Sequence, residues 1–149
     1  MPISTTQHDA RNSVQSTSTI NWQFAGNYTN DGMAAVSGLT VDHLVPLSEA
    51  WQSGAYRWSK ATRRQHANDL GYPSTLVAVT RQAAAAKGSA EPQRWMPRAG
   101  FRCSYAAQWV AVKWRWRLAV DPAERRFLVR TLTACDWPSV RAPGRATIR

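Results

Sequence analysis

The sequence predicts an α+β domain, and three observations carry that reading. Short alternating or β-rich runs occupy residues 20–24, 39–45 and 75–80. Segments with helix caps and helical spacing fill the second half. A length of 149 residues, 44% of them hydrophobic, suits one domain with a single buried core.

The elements follow in order. Residues 1–18 are rich in Ser, Thr, Gln and Asn without periodicity, and read as a loose polar arm. Residues 19–136 form the domain, and 137–149, mixing Pro, Gly and Arg, read as a disordered basic tail. In INWQFAG, Ile20, Trp22 and Phe24 alternate as in a short strand. In GLTVDHLV, Leu39, Val41, His43 and Val45 share one side while Asp42 points the other way. Pro46 ends that strand, because it has no N–H for a ladder, and LSEAWQSG is a short helix stopped by Gly54.

SKATRRQHANDLG is a helix with Ser59 as N-cap and Gly71 beyond its end, and TLVAVT is a strand. RQAAAAKG holds strong helix formers and stops at Gly88. SYAAQWVAVKWRWRL places Tyr105, Trp109, Val112 and Trp116 at helical spacing, with Ser104 as its cap. In DPAERRFLVRTLTAC, Asp121 is the N-cap, Pro122 takes the first helical position and Glu124 closes a capping box.

Nineteen Lys and Arg against nine Asp and Glu give a net charge of +10. Such an excess repels itself in a compact chain, and a phosphate backbone is the partner that best offsets it. No run reaches the roughly 18 apolar residues of a membrane span, and the first residues carry no basic segment followed by an apolar core. Cys103 and Cys135 are too few and too far apart for a self-contained zinc site. They are compatible with one disulfide, which needs an oxidising compartment.

Asp42 and His43 carry the chemistry most worth weighing. A histidine titrating near neutrality can take a proton from water, and an adjacent carboxylate can hold a divalent metal. Phosphodiester hydrolysis needs both functions. An isolated Asp-His pair is more often a turn aspartate beside a partly buried histidine.

The ordered series DHLVPLSEAW, ANDL, LVAVT, KG, EPQRWMP, FRCSYAAQWVAVKWRW and DPAE…LTAC changes that weighting. Together these segments, from Trp22 to Cys135, resemble the HNH-type endonuclease family named for the C-terminal domain of GmrSD restriction endonucleases. The resemblance implies a ββα-metal (His-Me finger) core with additional C-terminal helices. It also implies a metal-dependent endonuclease acting on DNA, with His43 as general base and Asp42 as ligand of a divalent ion, Mg²⁺ or else Mn²⁺. It implies a disulfide between Cys103 and Cys135 that pins the last two helices. Relatives of this kind are frequently secreted, although no signal peptide is visible here.

One departure stands out. The family asparagine ahead of Lys-Gly is Ala84 here, and the acidic position after Lys-Gly is Ser89. Alanine can neither orient a histidine nor bind a metal, so the alternative is a catalytically inactive nucleic-acid-binding derivative of the same fold. Gln82, Glu49, Asn68 and Asp69 are the residues that could substitute. Their ordinary roles are a solvent-facing Glu49 and an Asn68–Asp69 helix end, with His66 an exposed mid-helix residue. In KWRWR, Trp116 joins the apolar stripe, whereas Lys113, Arg117 and Trp114 are read as lying outside it. Arg63, Arg64, Lys87, Lys113 and Arg117 are the expected phosphate contacts.

Overall fold

A computed structural model describes residues 38–136 and 140–149. The expected arm at 1–18 and the strand around Trp22 lie outside the described residues. Two strands, β1 (Leu39–His43) and β2 (Leu76–Thr80), pair antiparallel with Leu39 opposite Thr80 and His43 opposite Leu76. Between them run α1 (Leu47–Gln52), a 3₁₀ turn (Ala55–Arg57) and α2 (Lys60–Ala67). After β2 come α3 (Arg81–Lys87), a second 3₁₀ turn (Ala99–Phe101), α4 (Arg102–Trp116) and α5 (Pro122–Ala134). The domain is α+β, as its patterning predicts.

Local chemistry sets the element ends. Ser59 caps α2 by accepting from the Thr62 N–H, and Thr80 caps α3 by accepting from Ala83 N–H. Gly88 closes α3 at φ 52°, ψ −129°, a backbone state that side chains with a Cβ rarely adopt. The capping box of α5 forms as expected, with Asp121 accepting from Ala123 and Glu124 while the Glu124 side chain takes the Asp121 N–H. Two ends differ from expectation. The α4 helix starts at Arg102, continuing the preceding 3₁₀ turn, so Ser104 sits inside it. Asn68, not Gly71, terminates α2. Gly71 serves a close approach instead, since a Cβ there would lie 2.6 Å from Arg115 Nη2.

All five residues of β2 are buried, and α3 packs against both strands. The stripe of Tyr105, Trp109, Val112 and Trp116 is buried against Leu44, Val45, Val77 and Val79. A disulfide joins Cys103, near the start of α4, to Cys135 at the end of α5, with 5.8 Å between Cα atoms. Residues 140–149, read from the sequence as a loose tail, lie along the domain. Ala146 N donates to Arg115 O at 3.0 Å and Ser59 N to Arg149 O at 2.9 Å. Ala146 and Ile148 pack on the core, which gives this basic stretch apolar anchorage. Among the described residues no helix is long and apolar enough to cross a membrane.

Candidate active site around Asp42 and His43

Asp42 and His43 end β1, where the ladder gives way to the turn before Pro46. His43 faces α2, and its Nε2 lies 2.9 Å from the Ala67 carbonyl. A carbonyl can only accept, so the proton sits on Nε2 and the lone pair on Nδ1. Burial lowers the imidazole below the usual histidine range, while the Ala67 carbonyl and Asp42 work in the opposite direction. The ring is thus oriented, and neutral at pH 7.

Asp42 turns toward α3. Its Oδ2 lies 2.7 Å from Lys87 Nζ, and the same ammonium donates to the His43 carbonyl at 2.8 Å. Lys87 is buried on the last turn of α3. Desolvation raises the Asp42 carboxyl above its usual range, with Lys87 opposing the shift. Burial correspondingly lowers the Lys87 ammonium against the pull of Asp42. One lysine therefore ties both members of the pair to one helix.

Ala84 lies one turn before Lys87 on α3, half-buried and packed on the core, so it shares the Lys87 face. It offers no donor atom there. The substitutes named from sequence do not fill the gap. Gln82 and Ser89 are exposed. Asn68 Nδ2 donates to Arg64 O at 2.8 Å. Asp69 accepts from Arg115 Nε at 2.8 Å, from Trp116 Nε1 at 2.9 Å, from Thr75 and from Gly71 N; burial works to raise its carboxyl, but Arg115, Trp116 and Gly71 N together hold it below the usual range. Glu49 is buried, not solvent-facing, and binds Lys113. Of the ligand and substitutes named from sequence, the Asp42 carboxylate is the one left here, a hard oxygen of the type Mg²⁺ and Mn²⁺ accept.

A second acidic group lies elsewhere. Carboxylate oxygens of Glu49, Glu91 and Glu124 come within 4.8 Å of one another. The Lys113 ammonium already sits there, 2.7 Å from Glu49 Oε1 and 2.6 Å from Glu124 Oε1. Glu91 is pushed up to about 7, by burial first and then by Glu49.

These contacts correct part of the expected phosphate-binding set. Lys87 and Lys113 are each 1% exposed and engaged by internal carboxylates, so neither is placed to meet a phosphate. The reason for Lys113 was visible in the spacing. It stands four residues after Trp109, about 40° around the helix, on the stripe and not outside it. Arg64 and Arg117 are exposed as expected, as is Trp114, and half-buried Arg63 leans on Trp51. His66, expected to be exposed, is buried between Trp58 and Trp116, at centroid distances of 5.5 and 5.0 Å.

Comparison with known proteins adds two findings. The family model described as "GmrSD restriction endonucleases, C-terminal domain" matches residues 3–131. A protein of Arthroderma benhamiae (strain ATCC MYA-4681 / CBS 112371) named "Uncharacterized secreted protein" is 39% identical over 109 residues, 72% of this chain. The chain spans about half (53%) of that relative's length. No solved structure matches.

Proposed function

Because the chain belongs to the family of the GmrSD restriction endonuclease C-terminal domain, an HNH-type endonuclease domain, we propose that it is a metal-dependent endonuclease hydrolysing phosphodiester bonds of DNA. In this reading β1, β2 and α3 are the ββα-metal core, His43 is the general base and Asp42 the metal ligand. The observation that carries it is the His43 ring, anchored through Nε2 to the Ala67 carbonyl, which puts the lone pair on Nδ1. His43 takes a proton from water at Nδ1, and the Ala67 carbonyl steadies the imidazolium that results. Lys87 keeps the Asp42 carboxylate and the His43 backbone in fixed relation. A bound divalent cation would neutralise the phosphate and the leaving oxygen. Mg²⁺ commonly binds protein through only one or two carboxylates, completing its shell with water and phosphate. Asp42 suits that role, but the missing donor at Ala84 lowers metal affinity or turnover by about 10- to 100-fold.

The alternative, a nucleic-acid binder without turnover, is favoured by Ala84 and by the ammonium already resting on Asp42. Plasmid nicking in Mg²⁺ or Mn²⁺, with and without EDTA, separates the two. Chelator-sensitive cleavage that disappears in His43→Ala supports the enzyme. Salt-sensitive DNA binding without cleavage under either metal supports the binder and removes the hydrolase. Secretion belongs to the same proposal: the disulfide suits an oxidising compartment, and the fungal relative is named as a secreted protein.

A further inference from the structure

A cavity of about 530 Å³ opens between α1 and α2, with Ala67, whose carbonyl bonds His43, in its lining. Its size lies within the roughly 300–1,000 Å³ typical of small-molecule sites. Leu47, Trp51 and Trp58 supply apolar wall, Lys60, Arg63 and Arg64 supply positive charge, and among the described residues no acidic one lines it. Trp51 is 50% exposed, so half of its indole is open to a partner that could stack on it. The Arg63 guanidinium lies 5.4 Å from the Trp51 ring centroid, and Arg63 donates to the Trp58 carbonyl, which fixes its cation over the aromatic wall.

The lining also includes a buried polar group. His66 is 2% exposed and borders the cavity, yet neither ring nitrogen has a hydrogen-bond partner among the described residues. A buried polar atom without a partner costs free energy that a ligand's own donor or acceptor would recover. Ala67 ties the cavity to the pair on β1, since it lines the cavity while its carbonyl accepts from His43.

Resting on the nucleic-acid reading above, we infer that this cavity receives an unpaired nucleobase next to the phosphate presented to His43. The base stacks on Trp51, its edge meets a His66 nitrogen, and Lys60, Arg63 and Arg64 hold the flanking phosphates. Aromatic stacking combined with a cationic rim is how proteins grip single strands with little sequence preference. A rigidly stacked duplex cannot deliver a base into such a pocket without unstacking it. The preferred substrate is accordingly single-stranded nucleic acid, or duplex with an unpaired or flipped nucleotide.

The test compares the full-length protein, its Trp51→Ala variant and its Trp51→Phe variant by fluorescence anisotropy. Three labelled probes of equal phosphate number are used: a 12-nucleotide single strand, the same strand made abasic, and a duplex. Trp51→Ala should weaken binding of the base-bearing single strand by about 5- to 100-fold. Trp51→Phe should keep most of that affinity, and the abasic strand should bind both variants as it binds the parent chain. Because Trp51 is half exposed, its truncation leaves the core in place, which circular dichroism checks. Equal affinity for base-bearing and abasic strands, with strong salt dependence, overturns the stacking pocket but leaves phosphate binding standing. Failure to bind any of the three probes at low salt removes the nucleic-acid reading itself.

Discussion

Replacing Lys113 with methionine keeps the volume of the side chain while removing its charge. In the structure its ammonium donates to Glu49 Oε1 at 2.7 Å, Glu124 Oε2 at 2.7 Å, Ser53 Oγ at 3.0 Å and Ala119 O at 2.9 Å. Glu49 is 5% exposed and Glu124 fully buried. Removing one member of a buried pair typically costs about 3–5 kcal/mol, because the remaining charge stays desolvated. Two carboxylates are stranded here, but the loss is not doubled. Glu124 keeps the Trp109 indole N–H and the Asp121 N–H, and Glu49 keeps the Ser53 hydroxyl. A cost of about 3–5 kcal/mol is a large part of the roughly 5–15 kcal/mol that holds a domain together. With a urea slope of about 1.5–2 kcal/mol per molar, the midpoint should fall by roughly 2 M. Adding Glu49→Gln and Glu124→Gln to Lys113→Met should recover much of the loss, since neutral amides leave no buried charge. A variant with an unchanged midpoint but weaker DNA binding would refute the internal role and return Lys113 to the surface.

Four further outcomes are expected. Ala84→Asn should raise chelator-sensitive plasmid nicking by about 10- to 100-fold, and His43→Ala on that background should abolish the gain. His66 is lowered from 6.5 to about 4 by burial and by His43, so the unfolded chain binds the extra proton between those values. Stability then falls as pH drops from 6.5 to about 4, by about 3 kcal/mol in all; His66→Phe should flatten that part of a pH series of urea midpoints. Cys103 and Cys135 enclose a separation of 32 residues, so reduction should cost roughly 3–4 kcal/mol, read as a lower urea midpoint in dithiothreitol. Gly71→Ala should push Arg115 off Asp69 and destabilise the domain by about 1–3 kcal/mol, seen in thermal melts, because Arg115 Nη2 lies 2.6 Å from where the new Cβ would stand.

Much of this was legible in the residues, and the rest was hidden for identifiable reasons. The β1 and β2 strands, the α3 stop at Gly88 and the α5 capping box rest on local chemistry, which short sequence windows carry. The disulfide followed from the family resemblance. The partners of Lys87 did not follow, because nothing local links residue 87 to residue 42 across two helices and a strand. His66 looked exposed because an isolated helix with Arg63, Arg64 and Gln65 reads as polar. Only the packing of Trp58 and Trp116 against its ring makes that face internal. The tail misled in the same way, since Ala146 and Ile148 are too sparse to signal burial alone.

The inward cations change what the net charge means. Asp42, Glu49, Asp69 and Glu124 are four of nine acids, and folding turns all four toward Lys87, Lys113 and Arg115. Among the described residues, three cations are drawn in with them. Paired charges at contact distance produce little field outside the protein, whereas exposed cations such as Lys60, Arg64 and Arg117 act on solvent unopposed. Among the described residues, the charges left outside these pairs therefore have a higher ratio of cations to acids than the chain does. Two of those exposed cations, Lys60 and Arg64, rim the cavity that shares Ala67 with His43. In the proposed reading, that rim draws a phosphate backbone toward the side of the domain where Ala67 holds His43, and Lys87 and Lys113, turned inward, take no direct part in it.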